Sequence, residues 1–357
     1  MHERGMRMVS AEEMKKSARV LFTSHIEHYT VGLTRELAKL FELTVLAYKP
    51  MHVDVKVLPN YIFPPKVRGV SRMILLRAAN NLFNVLHLNY AFEAVALSSM
   101  DNILVTSHGF PFPGLDPEEL EGHLREIKGF EIIRDSGVPV VAISNYTAEK
   151  LRTLYGIRVV DVIYHGLLPA FLSTQTRDYP FMHKLLLVSR LNLFKEPLLF
   201  FRALQKLDKP PGLKVLVRGE GPLAPQVKSF ARKFQYIQVH FVRRLPFKAL
   251  PLLYKAATIY IHTCSREPFG MSVLEAMGSA LPVIVPRSGG AFEVAGNAAL
   301  AFEAGSEEDL VDKLEAVLQD PTLYEKLSAA SLARATRFKW SEAALKYAKL
   351  YAKVYKG

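Results

Sequence analysis

The stretch REPFGMSVLEAMGSALPVIVPRSGG, residues 266–290, sets two carboxylates eight positions apart, Glu267 and Glu275. Pro268, Gly270 and an apolar run that reads as a short helix, MSVLEAMG, lie between them. The strand TIYIHT (258–263) precedes this loop, and PVIVP (282–286) follows it, leading into Gly289 and Gly290. A helix that starts at the carboxyl end of a strand offers unpaired backbone N–H groups to an anion. Ser272 and Glu275 also fit the Ser-x-x-Glu capping box, which by itself accounts for Glu275. It does not account for Glu267.

Other strand ends carry chemistry of the same kind. In VSRLNLFKEP (188–197), Arg190 and Lys195 stand just past the strand KLLLVS (184–189). Arg supplies a planar donor fork and Lys a mobile point charge, a pair suited to a diphosphate; two solvated surface charges are the plainer alternative. In KVLVRGEGPL (214–223), Gly219 and Gly221 follow a strand, but Ala224 replaces the third glycine of the dinucleotide fingerprint, so NAD is not expected. A tight turn explains these two glycines as well as ligand contact does. VTSHGFPF (105–112) ends a strand at His108, a candidate for contact with a substrate or for a structural hydrogen bond. No Asp-x-Asp occurs, so no bridging metal and no cofactor is expected.

These residues need strands to hold them. Short apolar runs alternate with helical stretches: RVLFTS (19–24), a helix TRELAKLFE (34–42), LTVLAY (43–48), NILVTS (102–107), VPVVAIS (138–144) and VVDVIY (159–164). Residues 169–184 lack periodicity and read as a linker, after which the alternation restarts and adds VHFV (239–242). The fold class is therefore α/β, with two Rossmann-like open parallel-sheet domains expected to face each other across a cleft. The expected divisions are a first domain at 15–170, a second at 183–338, and a terminal helix at 340–357 packing back on the first. On that helix Leu345, Ala348 and Tyr351 share an apolar face.

The bulk composition agrees. The 357 residues suit two domains, and 50% hydrophobic with 22% charged residues is a globular balance. Lys and Arg outnumber Asp and Glu by 46 to 34, a net charge of +12 that favours anionic partners. The one cysteine, Cys264, permits no intrachain disulfide. The N-terminus lacks the apolar core of a signal peptide, Met14 is a candidate start, and no apolar run is long enough to span a bilayer. The expected location is cytoplasmic.

Taken in order, VSRLNLFKEP, VLVRGEGPL, EPFGMSVLEAMGSALPVI and SGGAFEVAG resemble the C-terminal domain of retaining GT-B glycosyltransferases of family four, the glycosyl transferases group 1. The likeness is strong from about residue 184 to 315 and weaker from 19 to 170. It implies a metal-independent hexosyltransferase that moves a sugar from a nucleotide-sugar to a glycan or lipid-linked acceptor with retention of configuration. Position by position, it implies that Glu275 binds the ribose hydroxyls and that Glu267 lies beside the donor sugar. Arg190 and Lys195 would grip the diphosphate and stabilise the leaving group. Backbone groups of Phe269, Gly270, Met271 and Ser272 would meet sugar or phosphate, with Gly219, Gly221, Gly289 and Gly290 also on the donor side. His108 would face the sugar.

Four positions depart from that pattern. SHIEHYTVG (24–32) has only Gly32 where two glycines often follow the first strand. Arg243 stands where a glycine is usual near the base, and an arginine there would stack on it. Cys264 replaces a common serine and reads as a small buried apolar residue, and His165 replaces a frequent asparagine. In KVRGVSRMILLRAANNLFNVLHL (66–88), Lys66, Arg68, Arg72 and Arg77 interleave with apolar residues. This is either a basic amphipathic helix for an anionic membrane surface or an ordinary packed helix. The competing readings are a basic protein drawn to nucleic acid or anionic surfaces, and another GT-B enzyme such as a sugar-nucleotide epimerase or glycan phosphorylase. The scattered charge lacks an aromatic-basic stripe, so nucleic acid is not the expected partner.

Overall fold

A computed structural model describes residues 18–24, 27–47, 56–59, 65–97, 101–112, 120–208, 212–243 and 245–356. Their contacts divide into two units. One lies within Met1–Pro113, Glu119–Gly166 and Lys339–Gly357, and the other within Leu167–Phe338.

The first unit runs β1 (Arg19–Ser24), α1 (Glu27–Leu37), β2 (Glu42–Ala47), β3 (Lys56–Pro59), α2 (Pro65–Ala79), β4 (Val85–Leu88), β5 (Ile103–Ser107), α3 (Leu120–Ser136), β6 (Val140–Ala142), α4 (Asn145–Tyr155) and β7 (Val159–Val162). Its seven strands are parallel in the order β3-β2-β1-β4-β5-β6-β7. The order reverses between β1 and β4, which makes the carboxyl ends of those strands the place where a crevice opens. The central strands are buried on both faces, as their continuous apolar sequences require.

The second unit follows with β8 (Lys184–Val188), α5 (Pro197–Lys206), β9 (Lys214–Arg218), α6 (Ala224–Arg232), β10 (Gln238–Phe241), α7 (Leu250–Ala256), β11 (Ile259–Ile261), α8 (Met271–Gly278), β12 (Val283–Pro286), α9 (Gly289–Ala295), β13 (Leu300–Phe302), α10 (Glu307–Gln319) and α11 (Pro321–Ala335). The parallel order is β10-β9-β8-β11-β12-β13, so here the reversal falls between β8 and β11. Alternate residues Leu185 and Leu187, Val215 and Val217, and Ile259 and Ile261 join one core with Leu199, Phe200 and Leu204 of α5 and Leu310 and Leu314 of α10. That core holds the ends of β8 and β11 side by side.

Last, α12 (Trp340–Val354) belongs to the first unit. Tyr351 and Tyr347 place their hydroxyls 2.6 Å from His87 Nδ1 and 2.9 Å from Thr106 Oγ1. Of the face expected to pack, Ala348 and Tyr351 are buried, but Leu345 is exposed, and Tyr347 and Leu350 take its place.

Several local expectations shift. The helix read at 34–42 is α1, which begins seven residues earlier and ends at Leu37. Its first turns, rich in His, Tyr, Thr and Gly, lack a periodic apolar signal. Gly32 lies inside it, and a Cβ there would meet the Trp340 indole at 2.1 Å, so this glycine serves helix packing. The stretch 66–88 is not one helix, because α2 ends at Ala79 and β4 begins at Val85. Residues 169–184 are tied into the second unit. Phe171 is buried, and the Arg177 guanidinium donates to the carbonyls of Ser279, Ala257, Lys255 and Tyr254.

Candidate active site

Beyond β11 the chain continues through His262, Thr263 and Cys264 to the loop that bears Glu267. A turn after β8 is stitched to this loop. Thr263 Oγ1 donates to the Lys195 carbonyl at 2.8 Å, Cys264 Sγ to the Phe194 carbonyl at 3.1 Å, and Ser265 Oγ to Glu196 Oε1 at 2.8 Å. The stitching brings Lys195 Nζ to 2.6 Å from Glu267 Oε2, a pair in which each side chain is 14% exposed. Burial pushes the Glu267 carboxyl up, but the Lys195 ammonium and the neighbouring His262 outweigh it and hold the acid well below its usual range. Burial likewise opposes charge on Lys195, and Glu267 more than restores it. The pair is therefore ionised, with the lysine on the carboxylate.

Gly289 and Gly290 explain how the loop is held. Gly290 N–H donates to the Glu267 carbonyl at 2.6 Å. A Cβ on Gly290 would lie 2.1 Å from the Pro268 oxygen, and Gly289 has φ +77 with the Ser265 oxygen 2.9 Å from its would-be Cβ. Only glycines let α9 approach the loop backbone this closely. Gly219 and Gly221 do the same for the neighbouring strand end. Their Cβ atoms would meet the carbonyl oxygens of Ser189 at 1.8 Å and Leu191 at 2.5 Å. Both glycines brace the turn that carries Arg190.

The capping box does not form. The residue preceding α8 is Gly270, with φ +96 and no side-chain cap. Ser272 Oγ accepts from Tyr260 Oη at 2.7 Å, while Glu275 Oε2 accepts from Tyr254 Oη at 2.7 Å. Burial raises the Glu275 carboxyl to about 7, against the lowering effect of the Tyr254 hydrogen bond. A buried carboxyl on a helix interior with a tyrosine donor has room for further donors, and the start of α8 keeps its backbone donors without a side-chain cap. Phe269 is buried, whereas Met271 and Ser272 are partly exposed beside it.

Arg190 and Arg243 are both exposed, just past β8 and β10. Arg190 is close enough to Lys195 to disfavour its charge. The second unit thus places Arg190, Lys195, Glu267 and Glu275 around the ends of β8 and β11, where its strand order reverses. Sequence reasoning missed Tyr254 and His262. The signal for His262 was its i, i+2 spacing from Cys264 at a strand end.

In the first unit, His108 follows β5 and both ring nitrogens are engaged. Nε2 is 2.6 Å from Asn89 Oδ1, and Nδ1 is 3.3 Å from His165 Nε2. The Asn89 amide nitrogen donates to the Thr23 carbonyl, so its oxygen faces His108 and the Nε2 proton is fixed. The two imidazoles stack with centroids 5.2 Å apart, and His165 lies against Trp340. Burial, and then His165 and His87, push His108 well below the ordinary histidine value, and burial takes His165 down to about 3. His165, read as a tolerated change, is a partner of His108. Asn89 was not anticipated.

The basic amphipathic reading of α2 changes. Arg72 is buried and ion-paired with Glu93, and the side chains of Lys66 and Arg68 lie outside the described residues. Among its described side chains α2 exposes Val70, Ile74, Arg77 and Ala78.

Comparison with known proteins adds the lineage. Residues 182–334 match the model of the glycosyl transferases group 1 family. An uncharacterized glycosyltransferase of Methanocaldococcus jannaschii is 22% identical over 351 residues, covering 93% of this chain and 97% of that protein. The sulfoquinovosyl transferase of Arabidopsis thaliana is 28% identical over 145 residues, 39% of this chain, and the chain spans only 28% of that protein's length. Among solved structures, HepE of Anabaena in complex with UDP and glucose superposes with a TM-score of 0.71 at 18% identity, covering 93% of this chain and 99% of that one. The two parallel-sheet units are those of the GT-B fold.

Proposed function

We propose, for a chain that belongs to the glycosyl transferases group 1 family through residues 182–334, that it moves a hexosyl group from a nucleotide-sugar to a glycan or lipid-linked acceptor with retention of configuration. The observation that carries this reading is the Lys195–Glu267 pair at the end of β11, with the buried Glu275 on the helix that follows. Lys195, Arg190 and the uncapped start of α8 supply positive charge for a departing nucleoside diphosphate, the task a divalent cation performs elsewhere. Glu267, held ionised, offers its carboxylate to the positive charge that develops on the sugar. Glu275 has acceptor capacity for a ribose diol, and Arg243 can stack on a base. The complex of HepE with UDP and glucose supports a uridine nucleotide as the first donor to try. For the first unit, His108 is the candidate sugar contact; with both nitrogens held, it offers a fixed ring and not a free base.

The exposed Val70 and Ile74 of α2, with Arg77, support contact with an anionic membrane surface and hence a lipid-linked acceptor. No described helix is long and apolar enough to cross a membrane.

The test is thermal stability with UDP, GDP, ADP and their sugar conjugates, for wild type beside Glu275→Ala and Arg190→Ala. One nucleotide series should stabilise the wild type by about 3 kcal/mol at a hundredfold excess over Kd, and both variants should lose that gain. NMR of the product anomer then checks retention. If no nucleotide-sugar stabilises the protein, the transferase reading fails.

A further inference from the structure

His262 and Cys264 are two apart on the extended segment leaving β11, a spacing that brings both side chains to one side of the chain. Together with Glu267, their donor atoms lie within 4.8 Å of one another. His262 Nε2 is 3.4 Å from Glu267 Oε2. Zinc bonds of about 2.0–2.1 Å to nitrogen and oxygen, set tetrahedrally, put such ligands about 3.3–3.4 Å apart, so one edge of the polyhedron is already in place. His262 is 2% exposed, yet among the described residues neither ring nitrogen has a well-formed hydrogen bond: Nδ1 has no partner, and Nε2 has only the long approach to Glu267. Buried side-chain nitrogens are nearly always paired. Two that are not well paired, on one ring beside a thiol and a carboxylate, mark a place for a cation.

We propose that His262, Cys264 and Glu267 bind a soft divalent cation of the zinc class, and that this ion inhibits by taking Glu267 from Lys195. Cys and His select such ions over magnesium or calcium. Binding replaces the thiol proton by the metal: Cys264 Sγ–H loses its proton to water and the sulfur electron pair forms the metal bond. The fourth position stays open to water. Glu267, at 14% exposed, is the side from which the ion arrives. The same oxygen, Oε2, is 2.6 Å from Lys195 Nζ and 3.4 Å from His262 Nε2, so ammonium and metal compete for one atom. The ion is not a cofactor in this scheme. Its effect on transfer rests on the donor-site reading of Glu267, whereas its binding does not.

Cobalt(II) titrated into the metal-stripped full-length protein gives the test. The chain has one cysteine, so a thiolate-to-cobalt charge-transfer band reports Cys264 and nothing else. The band should saturate at one ion per chain, vanish in Cys264→Ser and weaken in His262→Ala, with near-UV circular dichroism confirming that both variants fold. Lys195→Met should tighten cobalt binding by removing the competing ammonium. Zinc should bleach the band and weaken nucleotide-sugar binding in wild type but not in Cys264→Ser. The site is refuted by absence of the band, by a band indifferent to His262→Ala, or by one that depends on protein concentration, as a cysteine bridged between two chains would. Unchanged or weaker cobalt binding in Lys195→Met refutes the competition. A band without any nucleotide-sugar binding would leave the ion site standing and the transferase reading fallen; the reverse pattern would do the opposite.

Discussion

The two units put polar side chains at the same place in the same kind of sheet, where the strand order reverses, and use them in opposite ways. In the first unit the groups satisfy one another. Arg72 pairs with Glu93, Glu93 accepts from Thr23 Oγ1 at 2.6 Å, Thr23 accepts from Asn89 N–H at 2.9 Å, and Asn89 holds His108, which meets His165. In the second unit the corresponding groups are less tied up: Glu275 has one tyrosine donor and a raised carboxyl, His262 Nδ1 has no hydrogen-bond partner among the described residues, and the Arg243 side chain is exposed. A closed network fixes geometry, whereas an open one binds. The difference separates a sheet whose polar groups form a frame from one whose polar groups suit the proposed donor site.

The largest effect expected from this contrast comes from opening the closed network. Glu93→Ala leaves the Arg72 guanidinium buried without its carboxylate and should cost about 3–5 kcal/mol. Replacing the pair together, Arg72→Met with Glu93→Leu, should cost far less, since the desolvated charges leave together. Urea unfolding of wild type, the single variant and the double variant measures both. If Glu93→Ala costs under about 1 kcal/mol, the network is not the frame described here.

Next comes the backbone contact behind Glu267. Gly290→Ala drives a Cβ into the Pro268 carbonyl and must displace either α9 or the loop, for about 1–3 kcal/mol of stability. Because the loop carries Glu267, nucleotide-sugar affinity should fall with it. Gly122→Ala in α3 of the first unit is the control, since a Cβ there meets nothing within 4 Å; a helix interior should gain up to about 1 kcal/mol. Equal melting behaviour in the two variants would break the argument that the glycine pair positions the carboxylate.

The open network should also be visible in pH. Burial raises Glu275 to about 7 in the empty site, and two ribose hydroxyls donating to it favour the ionised form. Binding below pH 7 must then expel a proton, so affinity is constant above about pH 8 and roughly tenfold weaker at pH 6. Calorimetry in buffers of different ionisation enthalpy would detect the released proton, and Glu275→Gln would flatten the profile. Affinity that instead rises toward pH 6 would mean that the neutral acid is the donor-binding form.

What the sequence revealed differs between the units for a physical reason. The second unit's roles sit on backbone-dictated features: strand ends, a helix start and glycines where chains touch. Glu267, Glu275, Arg190 and Lys195 were therefore singled out as candidates from local pattern, and the structure places them about two adjacent strand ends. The first unit's frame is made of long-range side-chain bonds. Thr23 and Glu93 are 70 positions apart, and His108 and His165 are 57 apart; no spacing rule joins them, so Asn89 and Glu93 went unread and Arg72 was counted among the cations of a basic helix. Strands β3, β4 and β13 are only three or four residues long, too short for periodicity to register. The capping box failed for a different reason. Ser-x-x-Glu is a local rule, and here two tyrosines from elsewhere in the unit, Tyr260 and Tyr254, take up Ser272 and Glu275 separately.

That separation supports the smallest prediction. Ser272→Ala removes the acceptor of the Tyr260 hydroxyl, which still lies 3.2 Å from the Val188 carbonyl and keeps a partner. The cost should be no more than about 1 kcal/mol. Were Ser272 and Glu275 a capping box, each side chain would bond the other's backbone N–H and the two would steady one helix start, so Ser272→Ala with Glu275→Ala would show a coupling on the order of 0.5 kcal/mol or more. With each residue on its own tyrosine, the double variant should instead equal the sum of the singles within about 0.3–0.5 kcal/mol. Additivity would keep Glu275 available to a ligand, because a carboxylate bound to its own helix start has its lone pairs already directed there. Coupling would return Glu275 to the helix and remove the residue on which the proposed ribose recognition rests.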